Sequence, residues 1–169
     1  KLSITSNRMY GVYLNEDGVD ANRIVSNTIN GRLRQQIGVY LWRADRNVIT
    51  NSRITGTTNA VWFATSAETN RVVGNTFYSN ANYDVQFDAC CAVRARGNRV
   101  GSNAMDGKSF GARGGVIYEG MQNLISNNTI VGHVMSGFRV DNTARSNRIV
   151  GNSIRTNGGI GIWFASSGA

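Results

Sequence analysis

Residues 22–29 read Asn22-Arg23-Ile24-Val25-Ser26-Asn27-Thr28-Ile29, and the stretches 70–77 and 147–154 repeat this order with conservative changes. Weaker copies occupy residues 2–9, 47–54, 98–105 and 123–130, so seven copies follow one another at intervals of 20 to 28 residues. A second apolar block, such as Gly38-Val39-Tyr40-Leu41, follows each copy. A repeat that dominates the chain predicts a solenoid, in which each repeat covers the apolar face of the next.

The repeat has β rather than helical character. Apolar and polar residues alternate in both blocks, and the 3.6-residue period of a helix is missing. The chain has 21 Asn and 20 Gly in its 169 residues, and those between the blocks suit tight turns with positive φ. Strands stacked ~4.8 Å apart would pair each coil with the next. The sequence therefore predicts an all-β parallel β-helix of about seven coils, forming one module over residues 1–169.

The motif Asn-x-Ile-x-x-Asn-x-Ile, followed by Gly-Val-x-Leu, resembles the repeat of right-handed parallel β-helix proteins over nearly the whole chain. That family includes pectate lyases, polygalacturonases, pectin esterases, uronate epimerases, phage tailspikes and secreted adhesins. The resemblance implies a polysaccharide partner and an extracellular or virion-surface location, and similarity to tailspikes implies a homotrimer. The aligned Asn side chains are expected to form a structural ladder from coil to coil.

Composition narrows the function classes. The net charge is +8, with 16 Arg and 2 Lys, which favours an acidic partner bound through forked contacts. No apolar stretch approaches ~18 residues, so we expect no membrane span. Cys90 and Cys91 are neighbours that match neither an ordinary disulfide nor a zinc spacing, and we interpret them as packing residues. We expect no bound metal or cofactor, except Ca²⁺ if the protein is a lyase.

Stacking turns each alignment column into a row of spatial neighbours. In the second block we expect alternate residues, such as Val85 with Phe87 and Val116 with Tyr118, to point inward. The outward positions between them hold Tyr13, Tyr40, Trp62, Gln86, Ile117, Arg139 and Trp163. The outward positions that follow hold Asn15, Trp42, Ala64, Asp88, Glu119, Asp141 and Ala165.

These rows predict a glycan cleft. Asp88, Glu119 and Asp141 would share one row as catalytic carboxylates, assisted by Gln86 and Arg139. The substrate-binding aromatic residues would be Tyr13, Tyr40, Trp42, Trp62 and Trp163, because sugar rings have apolar faces that match exposed aromatic rings. The same aromatic residues could instead pack under a loop or against another subunit.

Three functions stay open at this point. A glycoside hydrolase of the tailspike or secreted-glycanase type would use one carboxyl group as acid and another as base or nucleophile. A uronate lyase would bind Ca²⁺ through the acidic row while Arg139 removes the C-5 proton. A non-catalytic adhesin or glycan-binding segment would leave the acids solvated and balanced by Arg139.

Three further observations complete the expectations. The outward column of the first strands reads Ser3, Arg23, Val48, Arg71, Arg99, Leu124 and Arg148. It could hold a polyanion or pair with an acidic neighbour, but nucleic acid is not expected because no aromatic residue shares this face.

His133 is expected to be a turn residue rather than a catalyst. Neither end carries a cap, so we expect a longer polypeptide or partner chains to cover the ends.

Overall fold

The computed structural model describes residues 2–90, 93–108 and 111–165. Within them lie twenty short strands and no helix, and therefore no helix long and apolar enough to cross a membrane. A six-stranded sheet is built from the first strand of the second to the seventh repeat copy, where alternation turns one central apolar residue per strand inward. Its strands are β3 (Arg23–Val25), β5 (Val48–Thr50), β7 (Arg71–Val73), β12 (Arg99–Gly101), β15 (Leu124–Ser126) and β18 (Arg148–Val150).

A larger sheet of twelve strands wraps around the rest of the solenoid in two arms. The first arm holds β1 (Ser3–Thr5), β8 (Thr76–Tyr78), β13 (Ala104–Asp106), β16 (Thr129–Val131) and β19 (Ser153–Arg155). The second arm holds β2 (Tyr10–Asn15), β9 (Tyr83–Phe87), β14 (Arg113–Ile117), β17 (Phe138–Val140) and β20 (Ile162–Phe164). Two long strands, β4 (Thr28–Trp42) and β6 (Arg53–Phe63), run through both arms.

The pairing between coils is parallel throughout both sheets, which confirms the predicted parallel β-helix. A small antiparallel hairpin, β10 (Ala89–Cys90) with β11 (Val93–Arg94), interrupts the path after β9. Cys91 lies outside the described residues, as does the side chain of Cys90, so their interpretation as packing residues stays a prediction.

One left-handed residue turns each coil from the six-stranded sheet into the first arm. The φ angles at these positions lie between 51° and 70°, a region that Gly and Asn enter at low cost. The six residues are Ser26, Asn51, Gly74, Ser102, Asn127 and Gly151. The Asn and Gly between the apolar blocks therefore mark sharp corners of the solenoid.

The core consists of apolar side chains stacked in layers between the sheets. On the second arm, the rings of Phe63 and Phe87 lie parallel at 4.6 Å, with both side chains fully buried. On the first arm, one large apolar residue per coil fills the interior, as in Ile54, Phe77 and Met105. Each coil therefore covers the apolar residues of its neighbour.

The Asn ladder is confirmed as a structural element. Asn98 Oδ1 accepts the main-chain N–H of Asn70 at 2.9 Å, and its Nδ2 donates to the carbonyl of Ala67 at 2.7 Å. A second ladder repeats the pattern through Asn75, Asn103, Asn128 and Asn152, with Ser52 in the place of one Asn. The amides thus satisfy buried main-chain groups that the corners leave without partners.

The first predicted copy is shifted along the chain. Ser3 pairs with Thr28 and Ile4 with Ile29, so β1 belongs to the first arm and not to the six-stranded sheet. Ser3 is therefore not part of the outward Arg column. The seven predicted repeats correspond to six complete turns preceded by a partial one.

The fifth coil is shifted by one residue relative to the prediction. Gly115 pairs with Val85 and Phe138, and Ile117 pairs with Phe87 and Val140. Ile117 is fully buried and points inward, so the expectation that Val116 and Tyr118 point inward and Ile117 outward is wrong. A methyl group on Gly115 would collide with the Phe138 ring, which shows that the neighbouring coil fills the position that glycine leaves empty.

Candidate functional site

Aromatic side chains cluster on the outer face of the second arm over the first three coils. Tyr40 stands at the centre, with ring centroids 5.4 Å from Tyr13, 5.3 Å from Trp62 and 6.4 Å from Trp42. These four residues were predicted to share this face, and the structure brings them together. Tyr10, which the sequence reasoning missed, stacks on Tyr13 at 4.7 Å. Strict alternation would place Tyr10, three residues before Tyr13, on the opposite face, so the repeat pattern did not predict this contact.

A chain of amides continues the face on the fourth coil. Asn59 Nδ2 donates to Gln86 Oε1 at 2.8 Å, and Gln86 Nε2 donates to Asp88 Oδ2 at 3.2 Å. Gln86 is almost completely buried in this chain, although it was predicted to lie in an exposed row. Its amide therefore orients the Asp88 carboxylate from below the surface.

Tyr118 occupies the place predicted for Glu119. Since Ile117 pairs with Phe87 and Val140, the next residue, Tyr118, stands between Asp88 and Asp141 on the neighbouring coils. The Tyr118 hydroxyl lies 2.6 Å from the hydroxyl of Tyr83. Glu119 follows at a bend beyond the strand, so its predicted membership of the acidic row is wrong.

The row therefore contains two carboxylates, Asp88 and Asp141, on alternate coils. Two strand spacings separate their backbones by ~9.6 Å. Arg139 Nε donates to Asp141 Oδ1 at 2.6 Å, and this ion pair is largely shielded from solvent. The ion pair fixes the position of the Asp141 carboxylate.

Arg139 also links the acids to the last aromatic residue of the face. Its guanidinium lies 4.7 Å from the ring centre of Trp163 and 5.7 Å from that of Tyr118. Trp163 is more than a third exposed and lies in the predicted outward row, three coils beyond Gln86 and four beyond Trp62. The two ring contacts and the ion pair with Asp141 together fix the position of the guanidinium.

A cavity of about 220 Å³ opens beside Trp163. Its walls are Arg113, Met135, Ser136, Gly159, Ile160 and Trp163. Arg113 is nearly buried, donates from Nε to Ser136 Oγ at 3.2 Å and lies 5.9 Å from the Tyr83 ring centre. Arg113 and Tyr83 were not predicted from the sequence, because both lie before the second-block positions from which the outward rows were derived.

Burial sets the ionisation of the phenols on this face. Burial, then the neighbouring Tyr10, Tyr13 and Asp88, raise the pKa of Tyr40 to about 12. Burial and the hydrogen bond with Tyr83 raise the pKa of Tyr118 above its ordinary value of 10.0. Both phenols therefore stay protonated near neutral pH and act as hydrogen-bond donors.

His133 lies in the connection between β16 and β17, as predicted, and away from this face. Its Nε2 is 2.9 Å from Asp84 Oδ2 inside the solenoid, and both side chains are almost completely buried. The pair takes no part in the row of Asp88, Tyr118 and Asp141. The roles of the predicted catalytic and binding residues stay predictions.

Two protein families match the chain. The family described as the right handed beta helix region matches residues 1–111. The family of the periplasmic copper-binding protein NosD matches residues 84–169. The curated proteins contain no match to the chain.

Solved structures share the fold at low sequence identity. The periplasmic alginate epimerase AlgG superposes with a TM-score of 0.75 at 19% identity, over 94% of this chain and 36% of the epimerase. A variant of the same epimerase gives a TM-score of 0.70 at 15% identity, over 94% and 48%. An alginate lyase from Paenibacillus sp. str. FPU-7 gives 0.45 at 15% identity, over 92% and 75%. This chain thus spans about a third of the length of AlgG.

The described residues do not form a copper site. Copper prefers imidazole and soft sulfur ligands. The chain has one histidine, His133, and both of its ring nitrogens are within hydrogen-bond distance of Asp84 and Asn157. The described part of the chain holds no group of three or more His, Cys, Asp and Glu that could bind a metal ion.

The two family matches overlap over residues 84–111 and together span the whole chain. The parallel coils, the Asn ladders and the single left-handed corner residue recur along this same length. The chain belongs to the right-handed β-helix family, and its second half also matches the NosD family.

Proposed function

We propose that the outer face of the second arm binds a polysaccharide along the solenoid axis and that the protein modifies this polymer in the periplasm or outside the cell. The observation that carries the proposal is one continuous face. It runs from the aromatic cluster around Tyr40, past Asp88, Tyr118 and Asp141, to Trp163. Aromatic rings pack on the apolar faces of sugars, and neighbouring polar groups orient their hydroxyls.

An acidic polymer fits this face better than a neutral one. Arg113 and Arg139 lie on it, and the chain carries a net charge of +8. Guanidinium groups match carboxylates through paired donors. The alginate epimerase named above accords with this polymer class.

Hydrolysis of a glycosidic bond is the reaction that the two carboxylates best support. Their ~9.6 Å backbone separation leaves room for a water molecule, as in inverting glycosidases. Asp141, held in place by Arg139, would accept a proton from the attacking water. Asp88 would give its proton to the glycosidic oxygen that leaves. Tyr118, between them, would donate a hydrogen bond to the bound sugar.

Proton removal from a uronate is the second candidate, and the Tyr118 phenol, whose ring centre lies 5.7 Å from the Arg139 guanidinium, is the observation that favours it. Here Arg139 would balance the sugar carboxylate and Asp88 would take the C-5 proton. The Tyr118 hydroxyl, which stays protonated near neutral pH, would supply a proton to the leaving oxygen. Arg139 is not assigned as the base, because its Nε–H donates to Asp141 Oδ1.

The test is an incubation with uronate and neutral polysaccharides, followed by product analysis. New reducing ends without ultraviolet absorbance would indicate hydrolysis, and an unsaturated product would indicate elimination. A chelator added in a parallel sample asks whether Ca²⁺ is needed. Light scattering checks the expected homotrimer.

Single-residue variants test the proposed roles of the residues. Asp141→Asn should lower turnover by roughly 10²- to 10⁴-fold with binding retained. Asp17→Asn removes an exposed acid that pairs with Arg43, outside the row of Asp88, Tyr118 and Asp141; this matched control should leave turnover unchanged. Binding without turnover in the native protein would overturn the enzymatic part and leave a glycan-binding module. Absence of binding to every polymer would overturn the whole proposal.

A further inference from the structure

A row of exposed arginines lies on the outer face of the six-stranded sheet. The parallel register aligns Arg23, Val48, Arg71, Arg99, Leu124 and Arg148 on six consecutive coils. The four Arg side chains are exposed, and no ion pair involves them among the residues that the structure describes. Four uncompensated guanidinium groups thus follow the solenoid axis over five strand spacings, or ~24 Å.

The pairing of Arg71 with Arg99 has an energetic cost. Their Cα atoms are direct partners on adjacent strands, and like charges at this position destabilise a sheet. Exposed like charges on adjacent strands repel even in water. An anion bound between them would convert this repulsion into attraction.

The charges beside this row change along the axis. A neighbouring row reads Glu68, Arg96, Met121 and Arg145 through successive coils. Glu68 pairs with Arg96 at 3.1 Å, and further acids, Asp20 and Asp45, lie only beside the earlier coils. The last three coils therefore present Arg99, Arg145 and Arg148 without a neighbouring acid in these rows.

The chemistry of the face favours a linear acidic polysaccharide over other polyanions. Its outward residues are Arg, Val, Thr, Leu, Ser and Gly, so no aromatic ring is available to stack nucleic acid bases. Within each outward row the Val and Leu side chains are separated by Arg, Thr, Ser or Gly, so they form no continuous apolar stripe of the kind that enters a bilayer. Guanidinium forks that recur along the axis suit a polymer that carries carboxylates along its length.

We propose that this Arg row is a second binding surface, which holds a carboxylate-bearing linear polysaccharide along the axis, away from the aromatic face. The inference rests on the proposed function only for the class of polymer. Its geometry is independent, since the six-stranded sheet and the second arm are separate parts of the coil. Such a surface would retain the polymer while the aromatic face acts on another stretch of it.

The test compares binding of polygalacturonate with binding of the same polymer after complete methyl esterification, which removes its charge. The double variant Arg71→Gln, Arg99→Gln should weaken polygalacturonate binding roughly three- to tenfold and reduce its dependence on salt. The double variant Arg32→Gln, Arg155→Gln removes the same charge outside the face and should change binding less than twofold. Circular dichroism confirms that each variant is folded.

Each of the other outcomes would overturn one part of this proposal. Equal losses in both double variants would show that only net charge acts, and would overturn the surface. If the Arg71→Gln, Arg99→Gln variant weakened binding of single-stranded DNA or phosphatidylglycerol vesicles as much as binding of polygalacturonate, the choice of partner would be overturned. If the variant changed the size of the oligomer, the row would instead contact an acidic surface of another protein chain. Trp163→Ala separates the two proposals: loss of binding there, with the Arg71 and Arg99 variant unaffected, would overturn this surface and leave the aromatic face.

Discussion

His133 Nε2 lies 2.9 Å from Asp84 Oδ2 inside the solenoid, joining the sixth coil to the fourth. Asn157 Nδ2 donates to the carbonyl of Ile130, which turns its Oδ1 toward His133 Nδ1 at 3.1 Å. Nδ1 must therefore carry a proton. Asn80 Nδ2 donates to Asp84 Oδ1 at 2.8 Å, so one further proton is shared between Nε2 and Asp84 Oδ2. Glycines at 107, 111 and 114 leave room for the imidazole.

Stability should depend on pH through Asp84. Burial raises its pKa above the ordinary 3.8, although the hydrogen bonds from His133 and Asn80 oppose this. The stabilising contribution of the protonated form is fully present below pH 3.8 and is lost as the pH rises through the raised value. Each unit of difference between the folded and unfolded pKa is worth ~1.4 kcal/mol.

Asp84→Asn should remove this dependence and keep the fold. The amide can accept from Asn80 and donate to His133 Nε2, and it does not titrate in this range. Thermal unfolding at a series of pH values from 3 upward should show a flatter profile for the variant. Asp17→Asn, on the surface, should keep the native profile. Identical slopes for Asp84→Asn and the native protein would refute the assignment.

Substitutions in the middle of the Asn ladder should lower the stability of the protein more than substitutions at its end. Asn103→Ala removes the acceptor for the main-chain N–H of Asn75 and the donor to the carbonyl of Val72, and both groups are buried. We expect a loss of roughly 2–5 kcal/mol in the free energy of unfolding, measured by denaturant titration. Asn152→Ala, half-buried on the last coil, should cost less.

Asn103→Ser tests whether a shorter side chain that still forms hydrogen bonds can replace an Asn of the ladder. Ser52 fills an equivalent position, where its Oγ accepts from the N–H of Asn27 and donates to the carbonyl of Thr50. We therefore expect Asn103→Ser to recover part of the stability that Asn103→Ala loses. A serine variant as unstable as the alanine variant would argue against hydrogen bonding as the cause.

The stacked phenylalanines should carry a large part of the core energy. Phe87→Ala removes a fully buried ring that stacks on Phe63, and we expect a cost of about 3–5 kcal/mol. Phe164→Ala, where 71% of the residue is exposed, should change stability by less than about 0.5 kcal/mol. Denaturant titration of both variants checks the ratio, and equal effects would contradict the assigned core.

Two glycines at equivalent positions should respond in opposite directions. A methyl group at Gly137 would collide with the Ile154 side chain and lie 2.8 Å from the carbonyl oxygen of Gly161. Gly137→Ala should therefore cost about 1–3 kcal/mol. At Gly161 the nearest atom would be 3.9 Å away, and Gly161→Ala should be neutral or stabilise by about 0.4–1 kcal/mol. Thermal unfolding of the pair distinguishes these outcomes.

Most of the aromatic face could be predicted from the repeat, but its acidic row could not. Tyr13, Tyr40 and Trp62 follow the inward residues Val12, Val39 and Val61 without a break. On the fifth coil the inward position is Gly115, because the Phe138 ring of the next coil occupies the space. The sequence alignment assumed an apolar inward residue in every coil. It therefore placed Val116 inward instead of Gly115, and this shift of one residue put Glu119 in the acidic row instead of Tyr118.

The sequence by itself determined the period, the strands, the corners and the Asn ladders, because each depends on residues within one repeat and on the copy beside it. Only the tertiary structure decided that Tyr118 stands between Asp88 and Asp141, and that His133 reaches Asp84 two coils away. The physical reason is volume. A glycine in one coil leaves space for a side chain from another, and no periodicity along the chain records which side chain fills it.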